Sequence, residues 1–269
     1  MATTIGVRIW AERFPSRGYV TDRESIPALL KRHGLWAKKS LGQHFLLDES
    51  ALDKIVAAAE LSPDDTVLEI GPGPGPLTRR LGTHAGRVIA VELDGRMVEL
   101  LHTEVAVGLP VEVVQADILA VDLGALMAAR DVATYKVVAN LPYYITSAVL
   151  RHILEAPLKP TRVVVLVQRE VAERIVAKPP DMNLLGVSVQ LFGAPRVVAR
   201  VPAGAFYPPP RSTLPWCAST STRSPPRASP IPRASSASCA PASARSASNS
   251  ATPWRRASIS PAPRLTPRS

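Results

Sequence analysis

Four short clusters in this 269-residue chain combine residue types that can do chemistry. Asn140-Leu141-Pro142-Tyr143 sets a side-chain amide, main-chain carbonyls and an aromatic ring together. The Asn140 amide oxygen and the Pro142 carbonyl could accept both protons of an exocyclic amine, while Tyr143 stacks on the flat ring that carries it. Glu69-Ile70-Gly71-Pro72-Gly73-Pro74-Gly75 is a loop whose glycines let the backbone approach a ligand and turn tightly, with Glu69 placed to orient it. Its spacing is not the GxGxxG of a dinucleotide site, which speaks against a NAD-dependent enzyme. Glu92 follows at about the 20-residue interval at which an acid accepts both hydroxyls of a ribose, with Asp94 close behind. Asp117 can accept from an adenine amino group, and Ile118 can pack on the ring.

Each cluster follows a run that reads as a buried strand. Thr66–Ile70, Arg87–Glu92, Val111–Gln115, Tyr135–Ala139 and Arg162–Gln168 are mostly apolar. Gly186–Phe192 and Arg196–Val201 are expected as two further strands. Between them lie helix patterns: one opened by Asp48 with an apolar face of Ala51, Leu52, Ile55, Val56 and Ala59, then Pro76–Leu81, Thr146–Glu155 and Glu170–Val176. Apolar strands alternating with helices imply a mostly parallel sheet covered on both faces. Such sheets bind ligands at the carboxyl ends of their strands, where all four clusters fall.

Composition narrows the function classes once it is partitioned. The chain carries 32 Lys+Arg against 22 Asp+Glu, a net charge of +10 that suggests a nucleic-acid partner. Residues 211–269 hold nine Arg and no Lys, Asp or Glu, so residues 1–210 carry only 23 basic against 22 acidic side chains. Both cysteines, Cys217 and Cys239, lie in the same tail, so no disulfide or cysteine zinc framework is expected in the body. His33, His84, His102 and His152 show no metal spacing, and no metal is assigned. No run approaches the roughly 18 apolar residues of a membrane span, and no secretory pattern opens the chain, so a cytoplasmic protein is expected.

The four clusters in this order resemble a Rossmann-like methyltransferase that uses S-adenosylmethionine, and Asn-Leu-Pro-Tyr resembles the variant found in enzymes that methylate the N6 amine of adenine. Lys38-Lys39-Ser40-Leu41-Gly42-Gln43-His44-Phe45-Leu46 and Ala205-Phe206-Tyr207-Pro208-Pro209-Pro210 resemble motifs of the small-subunit ribosomal RNA adenine dimethyltransferases known as KsgA. The resemblance covers residues 24–211, with His44 standing where that family commonly has Asn. It implies an α/β fold with a mostly parallel seven-stranded sheet, S-adenosylmethionine as cofactor, and a substrate of two adjacent adenosines near the 3′ end of the small-subunit ribosomal RNA. It implies a monomer acting on that RNA in the pre-30S particle, away from membranes. His44, Leu46, Glu69, Gly71, Gly73, Glu92, Asp117, Ile118 and Asn140 would hold the cofactor. Asn140, Leu141, Pro142 and Tyr143 would serve the reaction, with Phe206 and Tyr143 sandwiching the target base. Two alternatives share much of this pattern: a large-subunit RNA methyltransferase of the antibiotic-resistance type, and a ribosome-assembly factor that binds RNA without methylating it.

The resemblance fails at both ends. Residues 1–23 match nothing and are read as a disordered or mis-started extension, leaving 24–210 as the catalytic domain. Where the family continues with a strand and a small helical domain, residues 211–269 are rich in Ser, Pro, Ala and Arg, a composition expected to be disordered. Synonymous codons for Ser212–Pro225, read in a shifted frame, encode VDSAVVRIDLYPEP. Those for Cys239–Ala257 permit RAGFSQKRKQLRNSLAAG. Both segments resemble the family, so the tail is read as out of frame and unstructured.

Overall fold

The computed structural model describes residues 25–37, 42–209 and 215–222. The readings made for 1–23, for Lys38 to Leu41, for Pro210 and for the tail beyond Thr222 lie outside the described residues.

The five apolar runs form five parallel strands. They are β2 (Thr66–Ile70), β3 (Arg87–Glu92), β4 (Val111–Gln115), β5 (Lys136–Asn140) and β6 (Arg162–Gln168). A short β1 (Phe45–Leu46) precedes them, and β7 (Gly193–Arg200), β8 (Phe206–Tyr207) and β9 (Pro215–Thr222) follow. The main sheet has the order β4-β3-β2-β5-β6-β9-β7, with β9 antiparallel to both neighbours. The order reverses beside β2, and its parallel neighbours are β3 and β5. Ligands of open α/β sheets bind at such a switch point.

Helices cover both faces: α1 (Ile26–Arg32), α2 (Glu49–Ala59), α3 (Pro76–His84), α4 (Gly95–Leu100, running on as a π turn over Leu101–Val105), α5 (Leu123–Ala128), α6 (Thr146–Glu155), α7 (Arg169–Val176) and α8 (Leu184–Phe192). Asp48 caps α2 as expected, its carboxylate accepting from Ala51 N at 2.7 Å, and the apolar face of α2 packs under β2, β5 and β6 with Val67, Val138 and Leu166. The opposite face of the sheet packs Leu68, Ile89, Val137 and Val165 against Leu123, Met127, Leu150 and Ile153. No helix among the described residues is long and apolar enough to cross a membrane.

Two expectations need correction. Gly186–Phe192 is part of helix α8, not a strand. Val187, Val189 and Leu191 alternate with Ser188 and Gln190, the period of a strand, and the surroundings override it. The deciding contacts are the Asn183 side chain, which accepts from Gly186 N at 3.0 Å, and the close approach of Gly186 to the Arg174 carbonyl. The seventh strand is instead β9, inside the segment expected to be unstructured. β6 and β7 run parallel and do not pair with each other, so both expose a row of backbone donors and acceptors to the gap between them. Pairing is a backbone property, and small residues fit: Ala218, Ser219 and Thr220 are buried there. Pro215, without an N–H, stands at the first position of the strand.

Candidate active site

The carboxyl ends of β2, β3, β4 and β5 surround a cavity, at the edge where open α/β sheets bind their ligands. Gly71, Gly73, Glu92, Asp117, Ile118, His44, Asn140, Leu141, Pro142 and Tyr143 all line it. Sequence separations of up to 100 residues are thus closed by strand order alone.

The glycine loop is held by the acid at the end of the next strand. Gly71 N donates to the Val91 carbonyl at 2.9 Å. Gly73 N donates to Glu92 Oε2 at 3.0 Å, while Leu93 N and Asp94 N donate to Glu92 Oε1 at 2.8 and 2.9 Å. Gly73 has φ +56°, and a Cβ there would stand 2.9 Å from the Phe45 ring; only glycine lets this turn lie under Phe45. Burial raises the Glu92 pKa, and the three backbone donors work against that rise. A carboxylate offers about four lone-pair sites, and three are occupied. The expectation that Glu92 takes both hydroxyls of a ribose therefore narrows to one open acceptor site. Asp94 does not enter the cavity; it caps α4 and grips Arg96, with Arg96 Nη2 donating to its carboxylate at 3.0 Å.

Glu69 lies below the loop and not in the cavity lining. It is 1% exposed, its Oε2 has no partner, and the neighbouring Thr78 hydroxyl is also buried without one. Burial, and then the nearby Glu92 charge, push its pKa up to about 8 against the opposing influence of Thr78. Glu69 is therefore a neutral acid at pH 7, supporting the loop from within the core.

On the other side of the cavity, Asn140 Nδ2 donates to the His44 carbonyl at 3.0 Å. That bond fixes which way the amide points: no donor among the described residues reaches Oδ1. The Pro142 carbonyl is less open than expected. Ile145 N and Thr146 Oγ1 both donate to it, at 3.3 and 3.1 Å, using its two lone pairs as α6 begins. The Leu141 carbonyl receives no donor among the described residues, so the open acceptor pair is Asn140 Oδ1 with Leu141 O. Tyr143 stacks on His44 with ring centroids 5.7 Å apart. Its hydroxyl is buried without a partner, and burial pushes its pKa up to about 12. His44 Nδ1 lies 2.7 Å from the Pro208 carbonyl, so the imidazole ties this wall to the loop after β8 and carries its proton on Nδ1.

Besides Glu69, two further expected site residues are elsewhere. In the β1–β8 ribbon, Leu46 stands opposite Phe206 and Phe45 opposite Tyr207. Leu46 and Phe206 are 2% and 3% exposed and belong to the core cluster of α2. Neither lines the cavity, so Phe206 is not positioned to sandwich a base. Phe45, one residue before Leu46, faces the cavity instead. Gln43, Leu93 and Tyr144 also line it and were missed. Each adjoins a residue that was identified; side-chain alternation along the chain was the signal that could have separated them.

Residues 34–214 match the family model described as ribosomal RNA adenine dimethylase. A ribosomal RNA small subunit methyltransferase A of Dehalococcoides mccartyi strain CBDB1 is 54% identical over 183 residues, which are 68% of this chain and 62% of that relative. A probable ribosomal RNA small subunit methyltransferase A of Methanopyrus kandleri is 46% identical over 190 residues, 70% of this chain and 65% of the relative. Among solved structures, a dimethyladenosine transferase from Plasmodium falciparum matches with a TM-score of 0.58 and 29% identity, over 66% of this chain and 63% of that one. The 23S rRNA methyltransferase ErmE matches with 0.60 and 30%, over 68% and 71%. The chain thus spans less than two thirds of the length of the D. mccartyi and M. kandleri relatives.

Proposed function

Because the chain belongs to the ribosomal RNA adenine dimethylase family, we propose that its cavity binds S-adenosylmethionine and that the protein dimethylates the N6 amines of two adjacent adenosines near the 3′ end of small-subunit ribosomal RNA. Identity of 54% to a relative named for the small subunit, against 30% to one named for 23S rRNA, favours this substrate over a large-subunit one. The same reading makes the pre-30S particle the partner, the protein a monomer and the cytoplasm its compartment.

The residues present fit the cofactor. The Gly71–Gly75 loop leaves room where any Cβ at Gly73 would collide, Glu92 keeps an acceptor for a ribose hydroxyl, and Asp117 with Ile118 offers a carboxylate beside an apolar surface at the end of β4. When bound, S-adenosylmethionine supplies a methyl group already activated by its sulfonium. The protein's own task is to hold and aim the amine. Asn140 Oδ1 and Leu141 O accept its two protons, which favours a pyramidal nitrogen and frees its lone pair from the ring. The same acceptors stabilise the charge that the nitrogen acquires. The target base leaves its stack to enter the cavity, and Tyr143, backed by His44, offers it a ring edge or face.

The observation that carries this reading is the orientation of the Asn140 amide, whose Nδ2 is engaged by His44 so that Oδ1 remains an acceptor. The test is methyl transfer to under-methylated small subunits. Asn140→Ala should lose transfer while keeping cofactor affinity; activity near wild type would overturn the clamp. For the tail, the reading remains that 211–269 is a shifted frame, while the catalytic domain extends from the expected 24–210 to take in β9. The nine Arg without a single acid or Lys support it. So does β9, which occupies the place where the shifted frame would encode the strand-like VDSAVVRIDL. Sequencing the gene around codon 211 tests it, and an intact frame there would overturn it.

A further inference from the structure

Aromatic side chains are scarce here, 5% of the chain, and those described are mostly inside. The exposed ones are Trp36, Tyr144 and Tyr207, at 64%, 62% and 40%. Tyr144 belongs to the cavity, and Trp36 and Tyr207 belong to a neighbouring groove. Tyr144 lines the cavity with its ring packed over Gly42. Tyr207 is opposite Phe45 in the β1–β8 ribbon, and Phe45 lines the cavity. Trp36 and Tyr207 share an open groove with Lys31. The Arg96 guanidinium lies over the Trp36 ring, 5.8 Å from its centroid. Arg96 is three residues beyond Leu93, which is 52% exposed and lines the cavity. Arg96, held by Asp94 next to Leu93, thus links the cavity edge to the groove of Trp36 and Tyr207.

A cavity that takes one base out of its stack leaves the neighbouring nucleotides of the strand without stacking partners. Rings with free faces replace that stacking, whatever the base. We propose that Trp36, Tyr144 and Tyr207 form a stacking shelf for the unpaired nucleotides that flank the target adenosine, with Arg96 and Lys31 beside the shelf for the backbone. The inference rests on the proposed RNA substrate and extends it. It assigns recognition of single-stranded RNA to a face of the catalytic domain itself, which carries almost no net charge.

The test is fluorescence anisotropy of a labelled single-stranded decamer of adenylate at low salt, with a duplex RNA of equal length beside it. The full chain should bind the single strand. Trp36→Ala and Tyr207→Ala should each weaken that binding roughly tenfold, and Trp36→Phe should restore most of it. Duplex binding and the slope of affinity against salt should stay unchanged, because stacking releases no counterions. Calorimetric titration of S-adenosylhomocysteine should be equal in all variants, which certifies the fold. Single-strand affinity within twofold of the parent in both alanine variants, or no single-strand binding by the parent, would overturn the shelf. An equal loss on duplex RNA would also overturn it. Failure of methyl transfer with the shelf result intact would instead count against the proposed reaction.

Discussion

The sheet has two halves of different character. Along β4, β3, β2 and β5 every strand is parallel, and β3, β4 and β5 each lead to a side chain with a defined partner: Glu92 on the Gly73 amide, Asp117 on the Leu119 amide, Asn140 on the His44 carbonyl. Along β6, β9 and β7 the strands alternate in direction, and the exposed neighbouring helix α8 shows Leu184, Val187 and Leu191 to solvent. The first half positions groups; the second closes the sheet. Function is concentrated where parallel strands end together, because their loops converge on one edge, whereas antiparallel pairing sends successive loops to opposite edges.

The comparison makes its strongest demand on Asn140. Asn140→Ala removes an acceptor aimed at developing charge and should lower methyl transfer by about 10²- to 10³-fold, with cofactor affinity changed little in a calorimetric titration. Next come two glycines, one in each half. Gly73→Ala forces a side chain at φ +56° into the Phe45 ring, and Gly186→Ala sets a Cβ 2.4 Å from the Arg174 carbonyl. Each should cost about 1–3 kcal/mol in denaturant unfolding. Only Gly73→Ala should also weaken cofactor binding; an equal loss in Gly186→Ala would erase the distinction between the halves.

Much of the first half was legible in the chain. The strand runs are mostly apolar and each is followed at once by its polar residue, so spacing located Gly71, Glu92, Asp117 and Asn140 before any fold was known. What escaped depends on three-dimensional neighbours. That Glu92 spends three acceptor sites on backbone amides, that Pro142 is engaged by Thr146, and that Phe206 turns into the α2 core are consequences of packing. In the second half β6, α7 and β7 were legible, but element type was lost at α8 and at β9. Val187 to Leu191 alternates with a strand's period although it folds as helix, and β9 pairs through its backbone between two strands that need a partner, a demand invisible in its Ser- and Thr-rich sequence.

A smaller effect concerns Glu69. Its folded pKa of about 8 stands above the ordinary carboxyl value of 4.5. The folded state therefore binds a proton that the unfolded chain has lost between these values, and stability should fall as pH rises from about 4.5 through 8. Glu69→Gln should flatten that slope in urea unfolding series at pH 5, 7 and 8.5; an unchanged slope would mean the carboxyl is not held neutral. The smallest effect is expected from Tyr143→Phe. The hydroxyl is buried without a partner, so its removal should leave stability equal or slightly raised and methyl transfer within about threefold. A large loss of transfer would give the hydroxyl a role in the reaction.

The central claim is that the carboxyl ends of β2 to β5 form one cofactor site whose loop is held by Glu92. Calorimetric titration of S-adenosylhomocysteine into the chain and into Glu92→Ala tests it directly. One site should appear in the parent, with affinity reduced roughly 10- to 100-fold in the variant, as the loss of three charge-assisted bonds implies. No binding by the parent, or equal binding by Glu92→Ala, would contradict it.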